Sequence, residues 1–310
     1  MKIFFFTGKG GVGKSTMAAA SAWQLSQKAR VLIVSLDPAH NLGDIFKAAV
    51  SKGKKKKLTD SLFLQEVDLH QLSQEYLQQE VNVLSSSYSY LKTFNLDSYF
   101  STLKHSPGIE EYALLTSIAR TTSKETEFDY ILFDTPPTGL TLRFLALPQV
   151  SMTWIDRLID IRRRILEKRY TIHRIKGCLS SQDTVLAYEE KDDEVLNRLY
   201  TLKDTYQDLD SSLRGEGCHI VLVFNPDVLS LKESERLLAG LEELGLPLRL
   251  LINNKVSAAN LDQAEEVEGK IQALAPGVGI KRIQLSNALG EKQKQGSLYD
   301  IQEQILPESW

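Results

Sequence analysis

The sequence predicts an α/β fold in which a mostly parallel, twisted sheet is flanked by helices. Three observations predict it. Short apolar runs rich in β-branched and aromatic residues recur along the chain, segments with helical spacing separate them, and a glycine-rich turn joins the first run to the first such segment. Strands that read as unbroken apolar runs are buried on both faces, which is the condition of a parallel sheet covered by crossover helices.

Taken in order, the strand runs are Lys2–Phe6, Arg30–Leu36, Leu62–Val67, Tyr130–Phe133, Ile220–Phe224, Leu248–Ile252 and Ile280–Leu285. An alanine-rich helix, Met17–Leu25, follows the first. Between Leu72 and Leu91 the positions Leu77, Val81, Leu84, Tyr88 and Leu91 alternate spacings of four and three, which places them on one helix face. Val195, Leu199, Leu202, Tyr206, Leu209 and Leu213 repeat that spacing, with Asp193, Glu194, Arg198, Lys203 and Asp208 off the stripe. Trp154, Leu158, Ile161 and Ile165 mark a third such segment. One stripe alone is equally well explained as a helix lying on the sheet. Three together predict a helical subdomain, from about 70–122 and 149–215, interleaved with a single domain spanning 1–310. Lys54–Lys57, four lysines after Gly53, is expected to be a solvated loop.

At 310 residues the chain can bury a large core, and 42% hydrophobic with 25% charged residues is ordinary for a globular protein. A net charge of −3 gives no global attraction to nucleic acid or anionic lipid, so no nucleic-acid partner is expected. The opening MKIFFFTG is far short of a secretory or spanning segment, and no run reaches the ~18 apolar residues needed to cross a bilayer, so a cytoplasmic protein that is not integral to a membrane is expected. Cys178 and Cys218 form no CxxC pair and are expected to be reduced thiols.

The chemistry begins at the first turn. Gly8-Lys9-Gly10-Gly11-Val12-Gly13-Lys14-Ser15-Thr16 fits GxxxxGK[ST] in the order strand, loop, helix, which defines a P-loop. Glycines let backbone N–H groups approach a phosphate, and the helix start adds partial positive charge. Lys14 is expected to neutralise the β- and γ-phosphates of ATP, and the Ser15 hydroxyl to ligate Mg²⁺. Lys9 is redundant with Lys14 for its own nucleotide. It either reaches a phosphate held by a facing subunit, implying a homodimer, or is a solvated cation. Asp37 ends the second strand run and can orient and deprotonate an attacking water, unless it merely caps the next helix. Asp134 ends the fourth run, where P-loop folds place a carboxylate that meets Mg²⁺ through water. Pro136, Pro137 and Gly139 after it suggest a stiff segment with a single hinge that senses the γ-phosphate.

These motifs resemble the GET3/ArsA family, the anion-transporting or arsenical pump-driving ATPases. The resemblance is carried by KGGVGKST, by DPAHNLGD at 37–44, PGIEE at 107–111, DTPPTGLTLRFLALP at 134–148, PDVLSLKESERL at 226–237, and Ile252-Asn253-Asn254. It implies a Mg²⁺-dependent ATPase in which Lys9 acts across a dimer interface, Asp37 and Asn41 belong to switch I, Pro137-Thr138-Gly139 to switch II, and Asn253 reads adenine. It also implies a homodimer that opens and closes with the ATP cycle. In the targeting branch, closure forms an apolar groove for the transmembrane segment of a tail-anchored client, delivered to a membrane receptor. The chain departs from that branch in lacking the zinc-binding CxxC, and from the arsenite-pump branch in offering two cysteines rather than three. Leu140 and Pro136 replace the histidine and small residue usual in switch II. Three functions stay open: a chaperone or targeting factor for apolar segments, the ATPase subunit of an arsenite or anion pump, and a ParA/MinD-type positioning switch. Against the last, Ser297–Trp310 carries three acids and no Lys or Arg to anchor it at a membrane.

Overall fold

The computed structural model describes residues 1–38, 42–87, 108–176, 180–181, 184–185, 187–284, 305–307 and 310. These divide into two compact units, one comprising Met1–Gln74, Glu110–Leu145 and Leu213–Trp310, the other Glu75–Ile109 and Ala146–Ser212. The architecture is the α/β one that the apolar runs predict, with a helical subdomain interleaved in the chain.

The first unit is built on an eight-stranded sheet. In chain order its strands are β1 (Lys2–Thr7), β2 (Val31–Ser35), β3 (Lys55–Lys57), β4 (Leu62–Glu66), β5 (Tyr130–Asp134), β8 (Cys218–Phe224), β9 (Leu248–Val256) and β10 (Gly279–Gln284), while β6 (Ser180–Ser181) and β7 (Thr184–Val185) form a separate hairpin. The spatial order is β10-β9-β8-β1-β5-β2-β4-β3. All neighbours are parallel except β3, which runs antiparallel along β4. Lys55–Lys57 is therefore an edge strand and not the loop expected of a lysine run. Its side chains remain exposed, and lysines on an open edge discourage another strand from adding there.

Central strands are apolar at most positions because helices cover both faces. Phe4 and Phe6 pack with Met17, Ala18 and Ala22 of α1 (Lys14–Ser26), whereas Phe5 stacks on Phe133. Ile305 and Leu306 join the α1-side core, and Trp310 stacks on the buried His219 ring, which in turn stacks on Phe4. Burial pushes His219 down to about 4, so that ring is neutral in the aromatic stack at physiological pH.

The remaining helices are α2 (Leu42–Phe46), α3 (Leu69–Ser87), α4 (Ile109–Lys124), α5 (Thr138–Lys176), α6 (Glu194–Arg214), α7 (Val228–Glu243) and α8 (Leu261–Leu274). In the second unit Ile155, Ile159 and Leu166 of α5 bury against Leu196, Leu199, Leu202 and Tyr206 of α6. The stripe Trp154, Leu158, Ile161 and Ile165, which marked the third helical segment, is exposed on α5. Val81 and Leu84 fall on the helical backbone of α3, while Tyr88 and Leu91 of that stripe, together with Cys178 and Leu285, lie outside the described residues. Among the described residues, no helix is long and apolar enough to cross a membrane.

Candidate nucleotide site

Sheet register brings the site together. Phe6 of β1 and Ser35 of β2 both pair with Asp134 of β5, so the three strands end level. The ladder runs on past the strands, with Leu36 N–H donating to Asp134 O at 2.8 Å and Thr135 N–H to Phe6 O at 3.2 Å. Hence the turn after β1, Asp37 after β2 and Asp134 at the end of β5 share one sheet edge, the carboxyl-end crevice where open parallel sheets bind ligands.

The turn needs its glycines. Gly8 has φ +148°, and a Cβ there would stand 2.0 Å from the Val223 carbonyl oxygen. Gly13 has φ +99° and caps α1, whose first turn carries neither a side-chain cap nor an acid. The helix start thus keeps its backbone donors for an anion. Gly10 and Gly11 are exposed, whereas Val12 is buried and anchors the loop in the core.

Lys14 is buried, and its ammonium donates to Lys9 O at 3.4 Å. Burial holds it below its ordinary range, opposed by the nearby carboxylates Asp134, Asp37 and Glu233. Asp134 is wholly buried, and neither of its oxygens has a partner at hydrogen-bond length among the described residues. Desolvation pushes it up to about 7, against the opposing influence of the Ser15 hydroxyl and the Lys14 charge. Two orphaned oxygens facing a serine and a lysine are the donor set that hydrated Mg²⁺ takes, so these residues fit that ion. A test follows. Asp134→Asn removes the cost of a buried unpartnered charge, so the nucleotide-free protein is expected to melt several degrees higher at pH 8, by calorimetry, while ATP hydrolysis ceases to respond to Mg²⁺.

Asp37 is half-buried beside this group. Asn41 and His40 lie outside the described residues, and so does Pro107 of the 107–111 motif. Pro137 is exposed at the start of α5, and Thr138 begins that helix, its hydroxyl donating to Glu233 Oε2 at 2.7 Å. Gly139 falls in the first turn of α5, so the hinge expected there is helical backbone instead. Lys9 Nζ stands 4.0 Å from Asp227 Oδ1 of its own chain. Asn253 is fully buried on β9, where its Nδ2 donates to Glu268 Oε1 at 2.8 Å while its Oδ1 has no partner among the described residues. A buried carbonyl without a donor suits the exocyclic amine of adenine.

Several neighbours escaped the sequence reading. Asn254 Nδ2 donates to Val12 O and Lys255 Nζ to Gly11 O, each at 2.8 Å. Glu233 meets Lys14 and Thr138, and Asp227 meets Lys9 while capping α7 through Ser230 N–H. Glu66, buried at the end of β4, accepts from Gly43 N–H at 2.8 Å and so anchors α2. Glu66 ends β4 as Asp134 ends β5, but in the sequence it lies between Gln65 and Val67 and does not close an apolar run.

This fold and site define the class: a P-loop nucleotide hydrolase with strand-end carboxylates beside its phosphate loop. The family is narrower. A family model described as an anion-transporting ATPase matches residues 1–274, and the chain belongs to that ArsA family of ATPases. It is 30% identical over 277 residues to the "Putative arsenical pump-driving ATPase 2" of Aquifex aeolicus, covering 87% of each chain. It is also 31% identical over 262 residues to ATPase get3 of Neurospora crassa, across 83% of this chain and 73% of that one. With ATPase GET3A of Arabidopsis thaliana it shares 30% identity over 279 residues, 87% of this chain and 70% of the relative. ATP hydrolysis is the activity of this chain at the level of the family.

Proposed function

We infer that this chain is the ATP-hydrolysing protomer of a homodimeric switch that holds apolar helical segments of membrane-destined clients. One observation carries the reading. Along α5, Trp154 is 65% exposed, Leu158 46%, Ile161 54%, Ile165 38% and Ile175 75%, a run of large apolar side chains on a helix whose adjacent flank is already packed. Soluble proteins expose such continuous apolar surface mainly where something binds, and an amphipathic groove is how helices are held. Relatives bearing both arsenical-pump and GET3 names leave the choice to this chain's own residues. The pump reading needs thiolates, and Cys218 is buried with its thiol pushed up to about 12 by desolvation.

In this reading Gly8 to Thr16 cradle the triphosphate, Lys14 neutralises its terminal oxygens and Lys9 reaches the partner's nucleotide. Ser15 would ligate Mg²⁺, with Asp37 and Asp134 holding its water shell, and the ion would neutralise charge on the leaving phosphates. Asp37 accepts the proton of the attacking water, Asn41 and Pro137 sense the γ-phosphate, and Asn253 accepts from the base. The second unit, with the exposed stripe, handles the client, and a membrane receptor would take it over.

The test is retention of a fluorescent 20-residue leucine-rich helical peptide on the protein held with ADP and aluminium fluoride. Wild type is expected to retain it. Trp154→Ser/Ile161→Ser is expected to lose at least about tenfold in affinity at an unchanged melting temperature, since buried aromatic anchors dominate apolar interfaces. Equal retention by the variant, or hydrolysis stimulated by arsenite but not by peptide, refutes the client reading.

A further inference from the structure

Two side chains from the end of β9 grip the phosphate loop from 242 and 244 positions away in sequence: Asn254 Nδ2 holds Val12 O and Lys255 Nζ holds Gly11 O, both at 2.8 Å. The contact is close. A Cβ on Gly13 would lie 2.4 Å from Asn254 Nδ2, so the amide packs directly against the turn. Asn254 is itself buried. Lys255 pays for its position in backbone strain, with φ +59°, one of two non-glycine residues at positive φ among those described. Its strained conformation is fixed from behind, where Asn260 Nδ2 donates to Lys255 O at 3.0 Å and Asn260 Oδ1 accepts from Ser257 N–H at 2.7 Å.

The physical need is clear from the loop. A phosphate cradle turns successive N–H groups inward, which turns the carbonyls of the same peptides elsewhere, and those carbonyls need donors of their own. Water can supply them at an exposed carbonyl, but it leaves the peptide planes free to fluctuate. Side-chain donors on a central strand supply them from a rigid support and fix the peptide planes before the anion arrives, so less ordering entropy is lost on binding. Lys255 also brings a positive charge to the rim of the loop, where Lys9 and Lys14 already stand.

We propose that Asn254 and Lys255 are positioning residues that pre-form the phosphate loop, holding the Val12 and Gly11 peptides in their anion-binding orientation in the nucleotide-free protein. The proposal deepens the assignment of that loop to the triphosphate and rests on it. Asn253, next along the same strand, carries the orphaned acceptor suited to the base. Three consecutive residues then tie base and phosphate recognition to one rigid element.

Hydrogen exchange of the peptide covering residues 8–16 in the nucleotide-free protein, and ATP and ADP affinity by calorimetry, test it together. Lys255→Asn keeps a residue tolerant of positive φ and removes the ammonium; Lys255→Arg keeps a charged donor. Lys255→Asn is expected to speed exchange in the loop and weaken ATP by about tenfold, the worth of a charged hydrogen bond, with little change in melting temperature. Lys255→Arg should recover most of that loss, and Asn254→Ala should reproduce it through the neighbouring carbonyl. Unchanged loop exchange in both Lys255→Asn and Asn254→Ala overturns the proposal. So does a fall in melting temperature with wild-type loop exchange, which would mark a merely structural contact. Failure of the wild-type protein to bind ATP would remove the nucleotide assignment instead, while loop exchange would still decide whether the clamp exists.

Discussion

Asp37→Asn is expected to reduce single-turnover hydrolysis by about 10²–10⁴-fold, the range spanned by a positioned general base, while ATP affinity stays near that of wild type. The substitution is nearly isosteric and removes one negative charge together with the ability to take a proton. Asp37 stands half-buried two residues beyond Ser35, the register partner of Asp134, and its charge is felt by Lys14. Lys14 keeps two further carboxylates, Asp134 and Glu233, so losing one negative charge leaves the ammonium supported and the loop intact. Binding and turnover are therefore expected to separate. Rapid-quench hydrolysis alongside titration with a fluorescent ATP analogue measures both, and an unchanged rate would take Asp37 out of the chemistry and leave it a cap.

What the sequence made legible follows from which forces are local. Strands that bury one or both faces carry apolar runs, so the seven longer strands stood out even though β4 and β10 are only partly buried; β3 did not, because three lysines have no apolar signature and pair only through their backbone. Helical periodicity revealed α5 but not which face is covered. Ile155 and Ile159 are buried, whereas Trp154 and Leu158, each one position earlier, are exposed, a difference of about 100° around the axis. A helix apolar on two sides reads the same whether or not a neighbour sits on the second. The site was legible where its parts are contiguous, as in Gly8 to Thr16, or where an acid closes an apolar run, as in Asp37 and Asp134. Asn254 and Lys255 carry no local mark of their function, because their partners are carbonyls brought to them only by the sheet. Pro136, Pro137 and Gly139 looked like a stiff segment with a single hinge, yet the Thr138 hydroxyl finds Glu233 and the backbone is helical from there onward.

Removing the Asp193 carboxylate is expected to cost the second unit about 3–5 kcal/mol, the typical penalty for leaving half of a buried ion pair behind. Asp193 is 2% exposed and receives both arms of the Arg162 fork, Nε to Oδ1 at 2.9 Å and Nη2 to Oδ2 at 2.7 Å. Its Oδ1 also accepts from Leu196 N–H at 2.8 Å, which satisfies a free donor at the start of α6. The pair thus fastens α6 to α5 beside the Ile155, Ile159, Leu166 and Leu196 cluster, on the flank next to the exposed stripe. Asp193→Ala strips Arg162 of that carboxylate and leaves the Leu196 donor bare; Asp193→Asn keeps one acceptor and should lose less. Burial raises the cost of the Asp193 charge, but the Arg162 fork, the Leu196 N–H and Arg169 outweigh it and hold the carboxyl below its ordinary range. The sign of the pH dependence follows. A depressed native pKa means that the stabilisation is complete above the unfolded carboxyl value of about 4 and drains away as pH falls through the lower native one. The gap between wild type and Asp193→Ala should therefore be constant from neutral pH down to about 5 and close at more acid pH. Hydrogen exchange in α5 and α6 across that range measures it, and a gap that widens on acidification would show that the pair does not hold these helices together.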